Sequence, residues 1–379
     1  MIGKVRLSKG DATGAGPRVA YVSTFPPTQC GIATFTEDLT RAVDRQRTLP
    51  HSVIVAINTE EAPLTYSPHV RFTIDRNNQA DYLEAAEYLN VSDVDLVSVQ
   101  HEFGIFGGSW GYHVIPFLKA LRKPAVATFH TVLRKPEPEA KEVTQELCRL
   151  FQSFVVMNSI AAHVLRQTYG VPAHKIRHIH HGAPKFSPEL GPKRKAQLKL
   201  VGRKVISTFG LISPGKGIEY AIRAMPQVVE RHPDALYLIL GQTHPGVRRH
   251  SGESYRDMLE RLIADLGMAE HIVFDNRYLT KPQLISYLDA TDIYVTPYLD
   301  PEQMVSGALC YAVAAGIPIV STPYLYAFEM LGNGRGMIAD FGDPAGIAEC
   351  INLLLDSPTL HELMVARTYD FGRRLLWDR

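Results

Sequence analysis

The chain has 379 residues, of which 45% are hydrophobic and 21% charged, and its formal net charge is +1. This composition is typical of a folded globular protein, so it excludes a disordered chain, and the near-zero charge argues against a dedicated nucleic-acid-binding protein. The length exceeds that of a usual single core, so we expect two domains.

Residues 1–17 lack the apolar core of a secretory signal, and no apolar run approaches the roughly 20 residues of a spanning helix. The four cysteines form no CxxC pair and have no histidines at zinc spacing, so we interpret them as reduced thiols. We therefore predict a cytoplasmic enzyme that acts on small molecules. Peripheral membrane contact stays open, because a basic helix face could lie on anionic lipid.

Strand-like apolar runs alternate with amphipathic runs along the chain, which predicts parallel sheets covered by helices on both faces. The predicted strands of a first series are residues 18–23, 53–57, 95–99, 125–129 and 154–157. The predicted helices of this series include residues 33–43, 82–89, 114–121 and 160–169. The predicted strands of a second series are residues 205–209, 236–240, 272–274, 293–296, 317–320 and 336–339.

Residues 184–204 interrupt the alternation with a segment rich in proline, glycine and positive charge. We therefore predict a first domain over residues 1–190 and a second over residues 200–357. Residues 358–379 have a helical, charged pattern, and we leave open a return of this helix to the first domain. Strand ends and helix N-termini of two such domains converge on the cleft between them, which is the expected site.

The first predicted strand runs into a loop in which Gly31 permits close backbone approach at the start of a helix. A ligand-facing loop and an ordinary strand-to-helix turn both fit this pattern. The loop lacks GxGxxG, so a dinucleotide fingerprint is not supported.

Titratable side chains follow two further strands of the first series. His101 and Glu102 come after residues 95–99 and could serve polar substrate recognition or acid–base chemistry, although adjacent side chains usually point in different directions. His130 follows residues 125–129 and is our main active-site candidate in the first domain, with a structural histidine as the alternative.

In the second series, residues 205–209 run into a glycine-rich loop in which Gly210, Gly215 and Gly217 surround Lys216. A cation on such a loop suits a diphosphate, whereas a solvated surface lysine is the alternative. The loop is not GxxxxGK[ST], so hydrolysis of a nucleoside triphosphate is not indicated.

Residues 297–323 read as a polar loop, a helix of small residues and a buried strand. Ser306 or Asp300 can cap the helix, and Gly316 with Pro318 ends it. The first amides of the helix and its dipole suit an anionic group such as a phosphate. The alternative is an ordinary unit of an α/β domain.

Taken together, the segments TQCGIATF, ATFHTV, RHIHHGAP, FGLISPGKGIEYAI and ALCYAVAAGIPIVSTP resemble the group 1 glycosyltransferases, which are retaining sugar-nucleotide enzymes of glycosyltransferase family 4. The resemblance covers nearly the whole chain in order. It implies an α/β GT-B fold, in which two Rossmann-like domains with parallel sheets face a central cleft. The donor nucleotide is then held mainly by the second domain and the acceptor mainly by the first, with no metal and no cofactor besides the nucleotide diphosphate sugar.

The resemblance assigns Gly31 to a glycine loop near the donor phosphates, His130 to the histidine beside the transferred sugar, and Lys216 to the diphosphate-binding lysine. The family's two glutamates, separated by seven residues, fall at Gln303 and Tyr311. Glu302 lies one place before the first position and could serve after a small loop adjustment. The arginine usual in the lysine loop is also missing, and Arg277 or the pair Arg248 and Arg249 could replace it.

The predicted site has three parts. The predicted catalytic residues are His130, Lys216 and Glu302. The predicted donor-binding residues are Gly31, Gly210, Gly215, Gly217, Gln303, Ser306, Gly307 and Tyr311. The predicted acceptor-side residues are His101 and Glu102, and no metal ligands are predicted.

The resemblance implies a retaining, metal-independent hexosyltransferase that moves a hexose from a nucleotide diphosphate sugar to a hydroxyl of a carbohydrate or lipid-linked acceptor. The missing arginine, at Leu211, and the replaced glutamate, at Tyr311, keep open a retaining disaccharide phosphorylase of the same fold. A sugar- or nucleotide-binding module without activity is a separate alternative.

Overall fold

The computed structural model describes residues 16–46, 51–60 and 64–379. Residues 1–15, which carry most of the segment predicted to lack a secretory signal, lie outside the described residues. Among the helices of the described ranges, none combines the length and the apolar character needed to cross a membrane.

Within the described residues, the first sheet has seven parallel strands in the order β3-β2-β1-β4-β5-β6-β7. Its strands are β1 Val19–Ser23, β2 Val53–Asn58, β3 Val70–Asp75, β4 Leu96–His101, β5 Ala125–Phe129, β6 Ser153–Val156 and β7 Ile176–His178. The helices between them are α1 Gly31–Arg45, α2 Gln79–Val91, α3 Val114–Ala120, α4 Pro138–Leu150 and α5 Ser159–Gln167.

The two edge strands, β3 and β7, are absent from the sequence prediction. Strand β3 alternates exposed residues with two half-buried ones and the buried Ile74, and β7 has three residues that are half-buried or exposed. Neither has the continuous apolar run by which interior strands of a parallel sheet are recognised.

The second sheet has six described strands, all parallel, in the order β10-β9-β8-β11-β12-β13. Its strands are β8 Lys204–Phe209, β9 Ala235–Leu240, β10 Ile272–Asp275, β11 Ile293–Thr296, β12 Ile319–Ser321 and β13 Gly336–Ile338. The remaining helices are α6 Gly191–Gln197, α7 Ile218–Arg231, α8 Pro245–Ser251, α9 Ser254–Asp265, α10 Lys281–Asp289, α11 Gly307–Ala314, α12 Leu325–Leu331, α13 Pro344–Asp356 and α14 Pro358–Gly372. The predicted α/β architecture with two parallel sheets is confirmed.

Polar side chains fix where many helices begin, because they accept hydrogen bonds from amides of the first turn. The residues that do so are Asn78 for α2, Asn158 for α5, Ser306 for α11, Asp343 for α13 and Ser357 for α14. Helix α11 is also buried at six of its eight positions, so its N-terminus is held firmly at the sheet edge.

Strand order reverses beside the first strand of each sheet. Strand β1 lies between β2 and β4, and β8 lies between β9 and β11. In open α/β sheets the crevice at such a reversal, beyond the carboxyl ends of the strands, is where ligands bind. A ligand is therefore expected at the loops after β1, β4, β8 and β11.

The chain after α14 lies against residues of the first series. Ala183 accepts a hydrogen bond of 3.0 Å from the Trp377 amide and donates one of 2.7 Å to the Leu375 carbonyl. The Trp377 ring lies 5.2 Å from the Phe35 ring of α1, and it occupies space that a side chain at Gly182 would need. Strand β7, the last of the first sheet, ends at His178, and β8 of the second sheet begins at Lys204. The domain bounds at residues 190, 200 and 358 stay our proposal.

Candidate functional site

The loop after β1 leads to an unobstructed helix start. Cys30 Sγ accepts a hydrogen bond of 3.3 Å from the Ala33 amide and so caps α1. A Cβ on Gly31 would meet no heavy atom within 4 Å, and the residue has no positive φ. Packing therefore does not require glycine at position 31, and the space beside it is open.

His130 is a buried, neutral imidazole at the carboxyl end of β5. Its Nε2 donates to the side-chain carbonyl of Gln100 at 3.2 Å, and its ring meets the Phe35 ring edge-on at 4.9 Å. Burial, with smaller contributions from His181 and His101, lowers the pKa of His130 to about 3. The side chain can therefore exchange hydrogen bonds with a ligand without carrying charge.

His181 is a second neutral imidazole, and the sequence analysis did not name it as a site residue. Its Nδ1 donates to the Gly182 carbonyl at 2.7 Å, while its Nε2 lies 3.1 Å from where a Cβ on Gly307 would be. Burial lowers the pKa of His181 to about 4, although the Gly182 carbonyl and the charge of Asp38 act in the opposite direction. The glycine that begins α11 thus lets this imidazole approach the helix N-terminus.

The glycine loop after β8 is fixed against the loop after β11. Gly217 has a φ of +60°, and a Cβ there would lie 2.1 Å from the Pro297 carbonyl oxygen. The Leu299 amide donates a hydrogen bond of 3.0 Å to the Gly215 carbonyl. These contacts hold Lys216 between the two loops. Gly210 also has positive φ, at +138°.

Lys216 contacts Tyr298, a further residue that the sequence analysis did not name. The Lys216 Nζ lies 3.8 Å from the centroid of the Tyr298 ring, and the Ser306 hydroxyl donates to the Tyr298 hydroxyl at 3.4 Å. Burial alone would raise the pKa of Tyr298, but the Lys216 charge and hydrogen bonds from Lys216 and Ser306 hold it below its ordinary value. The sequence feature that could have indicated Tyr298 as a site residue is its place, after Pro297, at the carboxyl end of β11.

Ser306 also caps α11, as predicted. Its Oγ accepts a hydrogen bond of 3.2 Å from the Leu309 amide, whereas the Asp300 carboxylate accepts from the Glu302 amide at 2.9 Å. Lys216, Tyr298 and Ser306 therefore form a continuous series of contacts that ends at the N-terminus of α11. We call these three side chains and Gly307 the lysine cluster.

Tyr311 is buried, with 7% of its surface exposed, and it faces the first domain. Its hydroxyl donates to Asp38 Oδ2 at 3.1 Å, and Lys281 forms an ion pair with the same carboxylate. The predicted donor contact of Tyr311 does not fit this position, since the hydroxyl is already used between the two domains.

Gln303 and Glu302 differ in exposure. Gln303 is half-buried, and its Nε2 donates to the Val305 carbonyl at 2.7 Å. Glu302 is exposed and forms an ion pair of 3.1 Å with Arg134 of the first domain. Of these two neighbours, Glu302 has the more accessible side chain.

His101 does not lie where an acceptor could touch it. Strand β4 extends two residues beyond its predicted end, which brings the His101 ring into the core beside Phe103, Phe106 and Phe129. The ring is fully buried, and neither nitrogen has a partner among the described residues. The predicted acceptor-side role of His101 is therefore not compatible with its position.

Glu102 lies beside the end of β5 instead. Its carboxylate accepts hydrogen bonds from the Thr131 hydroxyl at 2.6 Å and from the Phe103 amide at 3.0 Å. Burial raises the pKa of Glu102, although these two hydrogen bonds oppose the shift. Glu102 keeps its place as an acceptor-side candidate.

Two arginines considered as replacements for the missing family arginine have carboxylate partners. Arg277 forms two hydrogen bonds to Asp275, at 2.7 and 2.6 Å. Arg249 pairs with Glu60 of the first domain at 2.8 Å. The third, Arg248, is exposed on α8. The role of Lys216 as the diphosphate-binding cation stays a prediction.

Family models match both halves of the chain. A model described as "Glycosyl transferases group 1" matches residues 192–371, and one described as "Glycosyltransferase Family 4" matches residues 30–184.

Curated relatives are mannosyltransferases among others. The chain is 28% identical over 202 residues to a GDP-mannose-dependent alpha-(1-6)-phosphatidylinositol monomannoside mannosyltransferase of Mycolicibacterium smegmatis, which is 49% of each chain. It is 25% identical over 267 residues to a phosphatidyl-myo-inositol mannosyltransferase of Mycobacterium leprae, covering 69% of this chain and 66% of the relative. The match to the M. smegmatis protein thus spans about half the length of that relative.

Two solved structures of low sequence identity share the fold. Anabaena HepE, solved in complex with UDP, superposes with a TM-score of 0.73 and 16% identity, over 95% of this chain and 96% of that one. The sucrose-phosphate synthase of Thermosynechococcus elongatus gives a TM-score of 0.74 and 15% identity over the same shares. With both family models matched and two parallel sheets arranged as in these structures, the chain belongs to the group 1 glycosyltransferases of the GT-B fold.

Proposed function

We propose that this chain is a retaining glycosyltransferase that moves a hexose from a nucleotide diphosphate sugar to an acceptor hydroxyl without a metal ion. The observation that carries the proposal is the lysine cluster, in which the Lys216 ammonium lies over the Tyr298 ring and the Tyr298 hydroxyl contacts Ser306 at the start of α11. The departing diphosphate gains negative charge as the sugar leaves. A fixed ammonium and helix-start amides stabilise that charge at little reorganisation cost.

The neutral imidazoles of His130 and His181 suit the sugar side of the reaction. Both lie against Phe35, and His181 also approaches Gly307. An uncharged imidazole can donate or accept a hydrogen bond with a sugar hydroxyl without competing for the diphosphate. We assign His130 to positioning of the transferred sugar, and Glu102 with Thr131 to the acceptor side.

The similar proteins differ in the nucleotide that their names and titles give. Curated relatives are named for GDP-mannose, whereas the HepE structure contains UDP. The Tyr311 hydroxyl already donates a hydrogen bond to Asp38. We therefore infer that groups other than the residue at position 311 recognise the ribose. The phosphatidylinositol acceptors in the relatives' names favour a polyol or lipid-linked acceptor. A cytoplasmic location and peripheral membrane contact stay predictions.

The decisive experiment presents UDP-, GDP- and ADP-hexoses to the full chain with carbohydrate and lipid-linked acceptors. The proposal is supported if a nucleoside diphosphate is released and the acceptor product keeps the donor's anomeric configuration. EDTA should change neither result. Turnover that requires phosphate and releases no nucleotide would replace it with a disaccharide phosphorylase. Saturable nucleotide binding without any product would replace it with a binding module.

A further inference from the structure

Two histidines lie side by side where β7 ends. His178 is the last residue of β7 and His180 follows two positions later, so both side chains project from the same side of an extended chain. Their ring centroids are 4.6 Å apart. His181, the next residue, instead approaches the start of α11. The HIHH run therefore supplies two imidazoles that the proposed transfer reaction does not use.

A carboxylate of the second domain completes this group. Glu329 on α12 places Oε1 3.5 Å from His178 Nε2. Its other oxygen accepts hydrogen bonds from the Ser159 amide at 2.8 Å and the Ser159 hydroxyl at 2.7 Å. The carboxylate is thus held in place with one oxygen directed at the imidazoles.

The spacing of the three side chains suits a metal ion. One ligand atom from each of His178, His180 and Glu329 lies within 4.8 Å of the others, and the described residues contain no other such group. Ligand atoms about 2.0 Å from a tetrahedral zinc ion are about 3.3 Å apart. The 3.5 Å between His178 Nε2 and Glu329 Oε1 already approaches this value, and a ligand atom of His180 lies within 4.8 Å of both.

We propose that His178, His180 and Glu329 form a binding site for a divalent transition metal that joins the end of β7 to α12 of the second domain. Two imidazoles and one carboxylate favour Zn²⁺ and its neighbours over Mg²⁺ or Ca²⁺, which prefer oxygen ligands. His178 is exposed, so an ion can enter from solvent and keep a water as its fourth ligand.

The surroundings of His180 sharpen this preference. Its Nδ1 is buried and has no hydrogen-bond partner among the described residues. An unpartnered imidazole nitrogen is a ligand that Zn²⁺ takes readily, whereas Mg²⁺ and Ca²⁺ prefer oxygen.

The test uses the untagged full chain after treatment with EDTA and dialysis. Calorimetric titration with ZnCl₂ is expected to show one ion per chain and a raised melting temperature, whereas MgCl₂ and CaCl₂ are expected to show neither. His178→Ala and Glu329→Gln should each weaken zinc binding at least about tenfold, since losing even an outer partner of a metal ligand has that effect. His163→Ala, which removes an exposed histidine of α5 outside the group, should bind zinc like the wild type.

The metal-free melting temperatures of all variants are measured alongside, and we expect them to match. Equal zinc affinity in His178→Ala and wild type, or no stoichiometric binding in wild type, would overturn the proposal. The readout is binding, so the result does not depend on whether the chain transfers a hexose.

Discussion

The Tyr311 hydroxyl donates a hydrogen bond to Asp38 across the two domains, over a distance of 3.1 Å. Burial, then the charge of Asp38, raises the pKa of Tyr311, so the hydroxyl keeps its proton and serves as a donor. Asp38 is itself buried and also pairs with Lys281. The residue in place of the family's second glutamate therefore holds α1 against α11.

Restoring that glutamate should damage the protein. Tyr311→Glu would set a second carboxylate against Asp38, and we expect the free energy of unfolding to fall by about 3 kcal/mol in urea denaturation. Tyr311→Phe removes only the hydrogen bond and should cost less, about 1.5 kcal/mol. Adding Asp38→Asn to Tyr311→Glu should recover much of the loss. A Tyr311→Glu protein that is as stable as wild type would contradict this account of position 311.

Lys216 should matter for turnover more than for folding. If its ammonium stabilises the leaving diphosphate, as we propose, Lys216→Ala is expected to lower kcat/KM at least about 100-fold. The side chain is only half-buried, so the urea midpoint should change little. Lys193→Ala, which removes an exposed lysine of α6, is the matched control and should retain full activity. Turnover within threefold of wild type in Lys216→Ala would remove this residue from the mechanism.

Glu302 can be tested separately from its ion pair with Arg134. The pair is exposed, so breaking it should change stability by less than about 1 kcal/mol. If Glu302 contacts the donor sugar, Glu302→Gln should lower kcat/KM about tenfold or more, whereas Arg134→Gln should have little effect. Equal losses in the two variants would mean that the ion pair matters and that the carboxylate does not contact the sugar.

His101 should make stability depend on pH. Burial lowers its pKa to about 3 in the folded chain, against about 6.5 when unfolded. The unfolded chain therefore binds the extra proton as pH falls from 6.5 toward 3, and this residue's contribution to stability, complete above pH 6.5, is lost over that window.

His101→Leu removes this dependence together with two buried nitrogens that have no partner. We expect the variant to be about 1 kcal/mol more stable at pH 7.5. At pH 5 the advantage should grow by about 2 kcal/mol, because only the wild type loses stability through this group. Urea denaturation of both proteins at the two pH values measures the difference. If the advantage of His101→Leu is the same at both pH values, His101 takes up its proton in the folded chain as readily as in the unfolded chain, which would contradict the lowered pKa.

Local patterns account for what the sequence predicted well. The interior strands are continuous apolar runs. The glycine-flanked Lys216 lies in the loop after β8, and the cap Ser306 ends the loop after β11. Those signals are complete within about ten residues of chain, so they do not depend on how the domains meet.

Contacts between distant segments account for what the sequence missed. Tyr311 and Asp38 are 273 residues apart, and no spacing rule connects a tyrosine in α11 with an aspartate in α1. The importance of Tyr298 appears only when the lysine loop packs on it, and that of His181 only when Gly307 approaches its ring. His101 was misplaced because two more residues of β4 turned its ring into the core.

The position of Trp377 has a practical consequence. The chain has two tryptophans, and Trp110 packs against Phe103, whereas the Trp377 ring lies 5.2 Å from Phe35 and 6.4 Å from His181. Indole emission is sensitive to polarity and to nearby quenching groups, so a ligand that settles beside His181 would alter it. In a Trp110→Phe background, Trp377 becomes an intrinsic fluorophore that reports occupancy of the cleft without any attached label.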